Sequence, residues 1–157
     1  MNQKSLANLL KTVVILAAII GAVLCFIVFP MVGQQLKGKT EENFFWPWLI
    51  FLWIGAVPCY LALGKFWKIC GTIAEDRSFC RENAKGFKQI SLLALWDSLY
   101  LFAGSVIFLL LNLSHPSVFL GCLLVDFIGF AVSIAAAVLS RLVGRAAAIQ
   151  DENDLTI

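Results

Sequence analysis

The sequence predicts an all-α fold class: an integral membrane four-helix bundle with a cytoplasmic amphipathic helix between the second and third spans. Three observations lead to this prediction. Hydrophobic residues make up 61% of the 157 residues and charged residues only 14%, whereas soluble domains have about 25% charged residues. Four long apolar runs each reach the roughly 20 residues that a helix needs to cross a bilayer. Lysine and arginine are concentrated in every second one of the segments that flank these runs rather than spread evenly.

The chain is expected to form a single four-span membrane domain over residues 1–157. The first run carries no charge and is longer than the roughly 7–15-residue apolar region of a signal peptide, so we expect it to be retained. The sequence FFWPW, at the start of the second run, has the aromatic residues typical of a membrane interface. The expected spans are about 12–32, 44–69, 90–113 and 117–140.

The distribution of bases predicts the orientation, because cytoplasmic loops carry an excess of Lys and Arg. Two bases precede the first span, six lie between the second and third, and two follow the fourth. The opposite side has only Lys37 and Lys39. Both termini, the loop 70–89 and the tail 145–157 are therefore expected in the cytoplasm.

The loop between the second and third spans has the charge spacing of an amphipathic helix. On a helix through residues 77–90, Phe79, Asn83, Phe87 and Ile90 fall opposite the bases, with Ser78 as the expected N-cap. The apolar side is expected at the lipid headgroups and the bases near anionic lipid, with a protein partner on the bases as the alternative. These bases form a basic stripe: Arg77, Arg81, Lys85 and Lys88.

Polar residues inside the spans form two stripes that are expected to pack together, since small and hydroxyl-bearing residues let membrane helices approach closely. Asp97 and Asp126 are the stronger candidates for a functional site inside the membrane, with Ser98 and Ser133 beside them. Acidic residues are costly to place in a membrane and mark functional sites there. They suggest a proton or cation relay; the alternative is that they fix helix packing. Their positions predict an offset of about 10 Å rather than a close pair. The stripes are Ser91, Ser98, Ser105 and Asn112, and Cys122, Asp126, Gly129, Ser133, Ala136 and Ser140.

Motifs for catalysis or metal binding are missing from the sequence. The five cysteines form no C-x-x-C pair and there is one histidine, which disfavours a disulfide-forming enzyme and a His-rich metal site. No nucleophile elbow, zinc-protease motif or P-loop is present. We therefore expect no catalytic residue, no cofactor and no enzyme activity.

The segment F-x-R-E-N-A-K-G-F-K-Q-I after the second span and the terminal ENDLTI resemble a bacterial family of small four-span proteins known as domain of unknown function 2975. The resemblance implies a protein of the bacterial cytoplasmic (inner) membrane with no assigned activity. It also implies a frequent genomic neighbour, a very small Cro-type helix-turn-helix regulator. The motif positions are Phe79, Glu82, Asn83, Glu152, Asn153, Asp154, Leu155 and Thr156.

Three functions remain open at this point. The leading hypothesis is a non-enzymatic regulatory or accessory protein whose cytoplasmic face binds a small soluble regulator, without binding nucleic acid directly. The acidic tail is a candidate to dock on the basic loop, or to be displaced from it by that partner. The first alternative is a small proton- or cation-coupled transporter or channel that uses Asp97 and Asp126. The second is an oligomeric structural protein, assembled through the stripe of small residues.

Overall fold

The computed structural model describes residues 3–31, 45–112, 114 and 116–154, and these residues form four helices without a strand among them. Each helix is long and apolar enough to cross a membrane. The all-α, four-span fold class is therefore confirmed. The helices are α1 (Gln3–Met31), α2 (Phe45–Ala74), α3 (Arg81–Leu110) and α4 (Pro116–Asp154).

The helices pack in the order of the sequence. The contact between α3 and α4 is the most extensive, followed by α2 with α3 and then α1 with α2. Within the described residues, no Cα of α1 lies within 8 Å of α3 or α4, and none of α2 lies within that distance of α4. The bundle is therefore open along one side, with α2 and α4 separated by α3.

The two predicted polar stripes meet between α3 and α4. The Ser133 hydroxyl donates to the Ser91 carbonyl at 2.8 Å, and the Ser140 hydroxyl donates to the Ala84 carbonyl at 2.7 Å. These bonds satisfy hydroxyls that lipid could not. The expected packing of the two stripes is thus confirmed. Asn112 is the exception, because it is exposed at the end of α3 in a left-handed conformation with φ 53°.

Close approach of α3 and α4 depends on a glycine. A Cβ atom on Gly129 would overlap the Ser98 hydroxyl. A similar fit joins α2 to α3, where a Cβ atom on Gly104 would overlap the Phe51 ring. The Tyr100 ring lies 4.9 Å from that of Phe51, centroid to centroid, and its hydroxyl donates to the Phe51 carbonyl at 3.2 Å.

An aromatic stripe on α2 holds α1. Trp53, Tyr60 and Trp67 recur at seven-residue intervals, so they lie along one side of the helix. The Trp53 indole donates to the Cys25 carbonyl at 3.1 Å, within a π-helical turn of α1, and the Tyr60 hydroxyl donates to the Ala18 carbonyl at 2.9 Å. At the end of the bundle near the N-terminus, the Lys11 ammonium lies 5.5 Å from the Trp67 ring centroid.

The connection between α2 and α3 shows that the N-cap expected at Ser78 is wrong. Asp76 has φ 59°, and the amides of Asp76 and Arg77 donate to the carbonyls of Ile73 and Thr72. This is a Schellman motif with aspartate at the position that usually holds glycine. The chain leaves α2 there, and α3 begins only at Arg81, with Cys80 rather than Ser78 before it.

The amphipathic helix is not confirmed as a separate element. Its residues from Arg81 onward form the first turns of α3, continuous with the span. Phe87 and Ile90 contact α2 instead of facing the headgroups: the Phe87 ring lies 6.5 Å from that of Phe66, and Ile90 packs with Ile69. The tail is also helical as far as Asp154, as the last turns of α4.

Candidate functional site

Most of the candidate residues lie in two regions, the polar end and the apolar groove, whereas Asp126 and Ser133 on α4 lie outside both. The polar end consists of the connection 75–80, the first turns of α3 and the last turns of α4. The apolar groove runs along α3 between α2 and α4. Each is built by residues from more than one helix.

Asn83 fixes the connection at the polar end. Its side chain is 1% exposed, and its amide nitrogen donates to the carbonyls of Ser78 at 2.9 Å and Arg77 at 3.3 Å. Its amide oxygen lies 2.7 Å from the Thr72 hydroxyl, which also lies 2.8 Å from the Ile69 carbonyl. The single hydroxyl proton serves one of these acceptors at a time. Asn83 thus ties the end of α2 to the start of α3.

The neighbouring motif residues have no such role. Phe79 is 58% exposed, and Glu82 is exposed in the first turn of α3. In the described part of the chain, the Glu82 side chain makes no hydrogen bond or ion pair. Exposed side chains such as these contribute little to the stability of the fold. Of the three residues in the loop motif, only Asn83 therefore has a structural role in the described part of the chain.

The basic stripe is exposed, and one of its members contacts the end of α4. The Arg81 guanidinium donates from Nε to Asp151 Oδ2 at 3.0 Å, and its Nη2 lies 3.0 Å from the same oxygen. Arg77 lies 3.8 Å from Glu75, while Lys85 and Lys88 are exposed on α3. The basic loop and the acidic tail therefore meet through an ion pair at the surface, a type that contributes about 0–1 kcal/mol.

The remaining tail positions are only partly described. Glu152 and Asn153 are exposed in the last turn of α4. The Asp154 side chain and residues Leu155 and Thr156 lie outside the described residues. The tail reaches the loop through Asp151, a residue that the terminal motif does not include.

Asp97 and Asp126 lie at different helix interfaces. Asp97 is 8% exposed and faces α2, where the Cys59 thiol donates to its Oδ2 at 3.1 Å. Asp126 is 3% exposed on α4, whose only packing neighbour among the described residues is α3. Asp97 Oδ1 and both carboxyl oxygens of Asp126 have no hydrogen-bond partner in the described part of the chain. Asp97 lines the apolar groove, whereas Asp126 is not among its lining residues.

Ser98 and Ser133 serve the helix packing. Ser98 lies against Gly129, and Ser133 is bonded to Ser91. Sequence reasoning missed Cys59 and Thr72, the partners of Asp97 and Asn83. Neither belongs to a motif or a polar stripe, because each partnership depends on how separate elements meet. The aromatic stripe of α2, by contrast, could have been found from its seven-residue spacing.

Comparison with known proteins agrees with these observations. A family model described as "Protein of unknown function (DUF2975)" matches residues 34–157. The chain is also 28% identical over 161 residues to the uncharacterized membrane protein YoaS of Bacillus subtilis (strain 168), with 100% of both chains covered. No solved structure matches the chain. The chain is thus a membrane protein.

Proposed function

We propose that this chain, which belongs to the family described as "Protein of unknown function (DUF2975)", is a non-enzymatic regulatory or accessory protein of the bacterial cytoplasmic membrane. In this proposal the polar end faces the cytoplasm, as the excess of Lys and Arg at that end favours. Its exposed surface binds a small soluble regulator. The small helix-turn-helix protein implied by the family resemblance is the first candidate.

The exposure of Phe79 carries this proposal. Aromatic residues and arginine are enriched in the buried centres of protein interfaces. Phe79 is 58% exposed on a connection that Asn83 holds in place, so it is presented on a fixed support. Arg81 and Lys85 follow on the first turns of α3. The matching surface on a partner has an apolar pocket with acidic groups around it.

The Arg81–Asp151 pair supports a competition between the tail and the partner. Both residues lie at the surface, where such pairs contribute about 0–1 kcal/mol. An acidic group of the partner can replace Asp151 at Arg81 with little loss of free energy. The tail then acts as a weak competitor for the surface rather than as a permanent cover.

Co-purification from mild detergent tests the proposal. The tagged membrane protein is expressed with the helix-turn-helix regulator, and Phe79→Ala is compared with Lys85→Ala/Lys88→Ala. We expect both variants to lose most of the regulator that the native protein retains. Asp151→Ala, which removes the competing acid, should retain more regulator than the native protein. Lys65→Ala/Lys68→Ala is the matched control, because it removes two bases near the same end from α2 and leaves the stripe intact. Equal recovery in all variants would exclude this surface, and no recovery with the native protein would exclude the partner.

The alternatives receive less support from the geometry. A relay through Asp97 and Asp126 requires a path between the two acids, and Asp126 is not among the residues that line the groove beside Asp97. The small-residue stripe that suggested an oligomer is occupied within the chain, since Ser133, Ala136 and Ser140 pack against α3. We therefore retain the regulatory proposal alone.

A further inference from the structure

The contact between α3 and α4 has two sides, and the apolar groove occupies one of them. On α4, Leu139 lines the groove, and Arg141 comes two residues later. Two residues turn a helix by about 200°, so Arg141 lies on the side away from the groove. On α3, Phe87 lines the groove and Lys85 comes two residues earlier. Lys85 therefore also lies on the far side, and both bases are exposed there.

Three bases from the two helices lie close together on this far side. The Ser140 hydroxyl donates to the Ala84 carbonyl at 2.7 Å. Arg141 and Lys85 are the next residues along the two helices, so they lie at about the same height. Lys88 is exposed about 4.5 Å further along α3, toward the apolar part of that helix. We call Lys85, Lys88 and Arg141 the basic cluster.

The basic cluster has no counter-charge within the described residues. None of its three side chains makes an ion pair there, and Asp151, further along α4, is bonded to Arg81. The two helices approach closely at this level, because a Cβ atom on Gly144 would lie 3.6 Å from the Ala84 Cβ atom. The three like charges repel one another. One anionic group can contact bases from both helices and remove this repulsion.

Exposed apolar residues continue from the basic cluster into the membrane. Leu92 and Leu99 follow Lys85 at intervals of seven residues, so they lie on the same face of α3. Ile134 precedes Arg141 by seven residues and lies on the corresponding face of α4. All three apolar side chains are exposed, and on a spanning helix they lie against hydrocarbon. They form two apolar rows that begin about 10 Å from the bases.

We propose that the basic cluster binds an anionic phospholipid, with its phosphate between the three bases and its acyl chains along the apolar rows. Lysine and arginine form charge-assisted hydrogen bonds with phosphate, and basic pockets between membrane helices bind anionic lipid head groups. An acidic soluble protein matches the bases but cannot reach rows that lie in hydrocarbon. A zwitterionic phospholipid matches the rows but brings an ammonium group to three cations. An anionic phospholipid matches both features.

The lipid site does not rest on the regulatory proposal, because Arg141 lies outside the basic stripe and on a different helix from it. Lys85 and Lys88 belong to both surfaces, so the variant that separates the two proposals changes α4. Arg141→Gln should weaken binding of the anionic lipid and leave recovery of the regulator unchanged. Either measurement can therefore fail while the other succeeds.

Native mass spectrometry of the full-length protein, freed of lipid in detergent, tests the assignment. Phosphatidylglycerol and phosphatidylcholine with identical acyl chains are titrated into the protein. We expect the native protein to bind phosphatidylglycerol at least about tenfold more tightly than phosphatidylcholine. Lys88→Gln/Arg141→Gln should reduce this preference to within about threefold. The matched control, Lys65→Gln/Lys68→Gln, removes the same charge from α2 and should keep the preference.

Two outcomes of this titration would overturn the site. Equal affinity of the native protein for the two lipids would exclude a preference for an anionic head group. An equal loss of preference in both double variants would show that only the net charge of the protein matters.

Photo-cross-linking locates the lipid in the native protein, without a substitution that could affect folding. Phosphatidylglycerol with a diazirine in one acyl chain is irradiated in nanodiscs that contain the protein, and cross-linked residues are identified by mass spectrometry. We expect cross-links at Leu92 and Ile134 that excess phosphatidylglycerol reduces and excess phosphatidylcholine does not. Cross-links confined to the groove lining, such as Val132 and Leu139, would overturn the location. Equal competition by the two lipids would overturn the head-group assignment.

Discussion

Replacing Asn83 with alanine should open the connection between α2 and α3. The change removes the donors to the carbonyls of Ser78 and Arg77 and the acceptor beside the Thr72 hydroxyl. A typical internal hydrogen bond contributes about 1 kcal/mol, and water can reach part of the freed connection. We therefore expect the free energy of locally opening this connection to fall by about 2–3 kcal/mol.

Limited trypsin digestion measures this opening, because Arg77 lies in the connection and its side chain is exposed. When opening and closing are fast relative to cleavage, the cleavage rate follows the population of the open form. A loss of 2–3 kcal/mol corresponds to cleavage at Arg77 that is about 30- to 150-fold faster. The rate is measured in detergent at low protease concentration, with the cleavage site identified by mass spectrometry.

The matched control is Gln89→Ala, which removes an exposed amide from the same helix. Within the described residues, the Gln89 side chain makes no hydrogen bond, so we expect its cleavage rate to stay within about threefold of native. Equal cleavage in Asn83→Ala and the native protein would refute the claim that Asn83 holds the connection. Equally faster cleavage in both variants would show that the loss of any side-chain amide from α3 has this effect. The hydrogen bonds of Asn83 would then not be its cause.

Three further outcomes follow from the packing and the charges. Asp76→Gly should raise the free energy of unfolding by about 0.5–1 kcal/mol in a denaturant titration, because glycine adopts positive φ without strain; a decrease would contradict this reason. Gly129→Ala should lower the free energy of unfolding by about 1–3 kcal/mol, and adding Ser98→Ala should recover part of this loss in a double-mutant cycle. Additive effects of the two changes would contradict the contact between Gly129 and Ser98. Arg81→Asp should recover less regulator than the native protein and Asp151→Arg should recover more, because the first change removes a base that binds the partner and the second removes the competing acid; co-purification measures both, and equal recovery would contradict the competition.

The spans and their polar stripes could be predicted from the sequence because lipid imposes simple requirements. Long apolar runs form helices there, and small or hydroxyl-bearing residues at helical spacing mark the packed faces. Ser133 and Ser140 therefore bond across to α3 as their spacing indicated. Hydrophobicity locates the embedded part of a helix and not its end in water. For that reason α3 begins at Arg81 although its apolar run begins near Ile90.

The details of the sites depended on tertiary structure. Asp76 adopts a conformation usually given to glycine, so the end of α2 had no distinct signal in the sequence. Asn83 was expected to face the headgroups, but the chain reversal at Asp76 brings two loop carbonyls to its amide. The pairing of Asp97 with Cys59 joins two helices through residues that are 38 positions apart. No pattern of neighbouring residues in the sequence predicts this contact.

The attachment of α1 has a consequence for evolutionary tolerance. The aromatic stripe of α2 donates to main-chain oxygens of α1, at Ala18 and Cys25, and every residue type supplies such an oxygen. These bonds constrain the shape of α1 without specifying its side chains. Substitutions can therefore accumulate in α1 while α2 retains its rings.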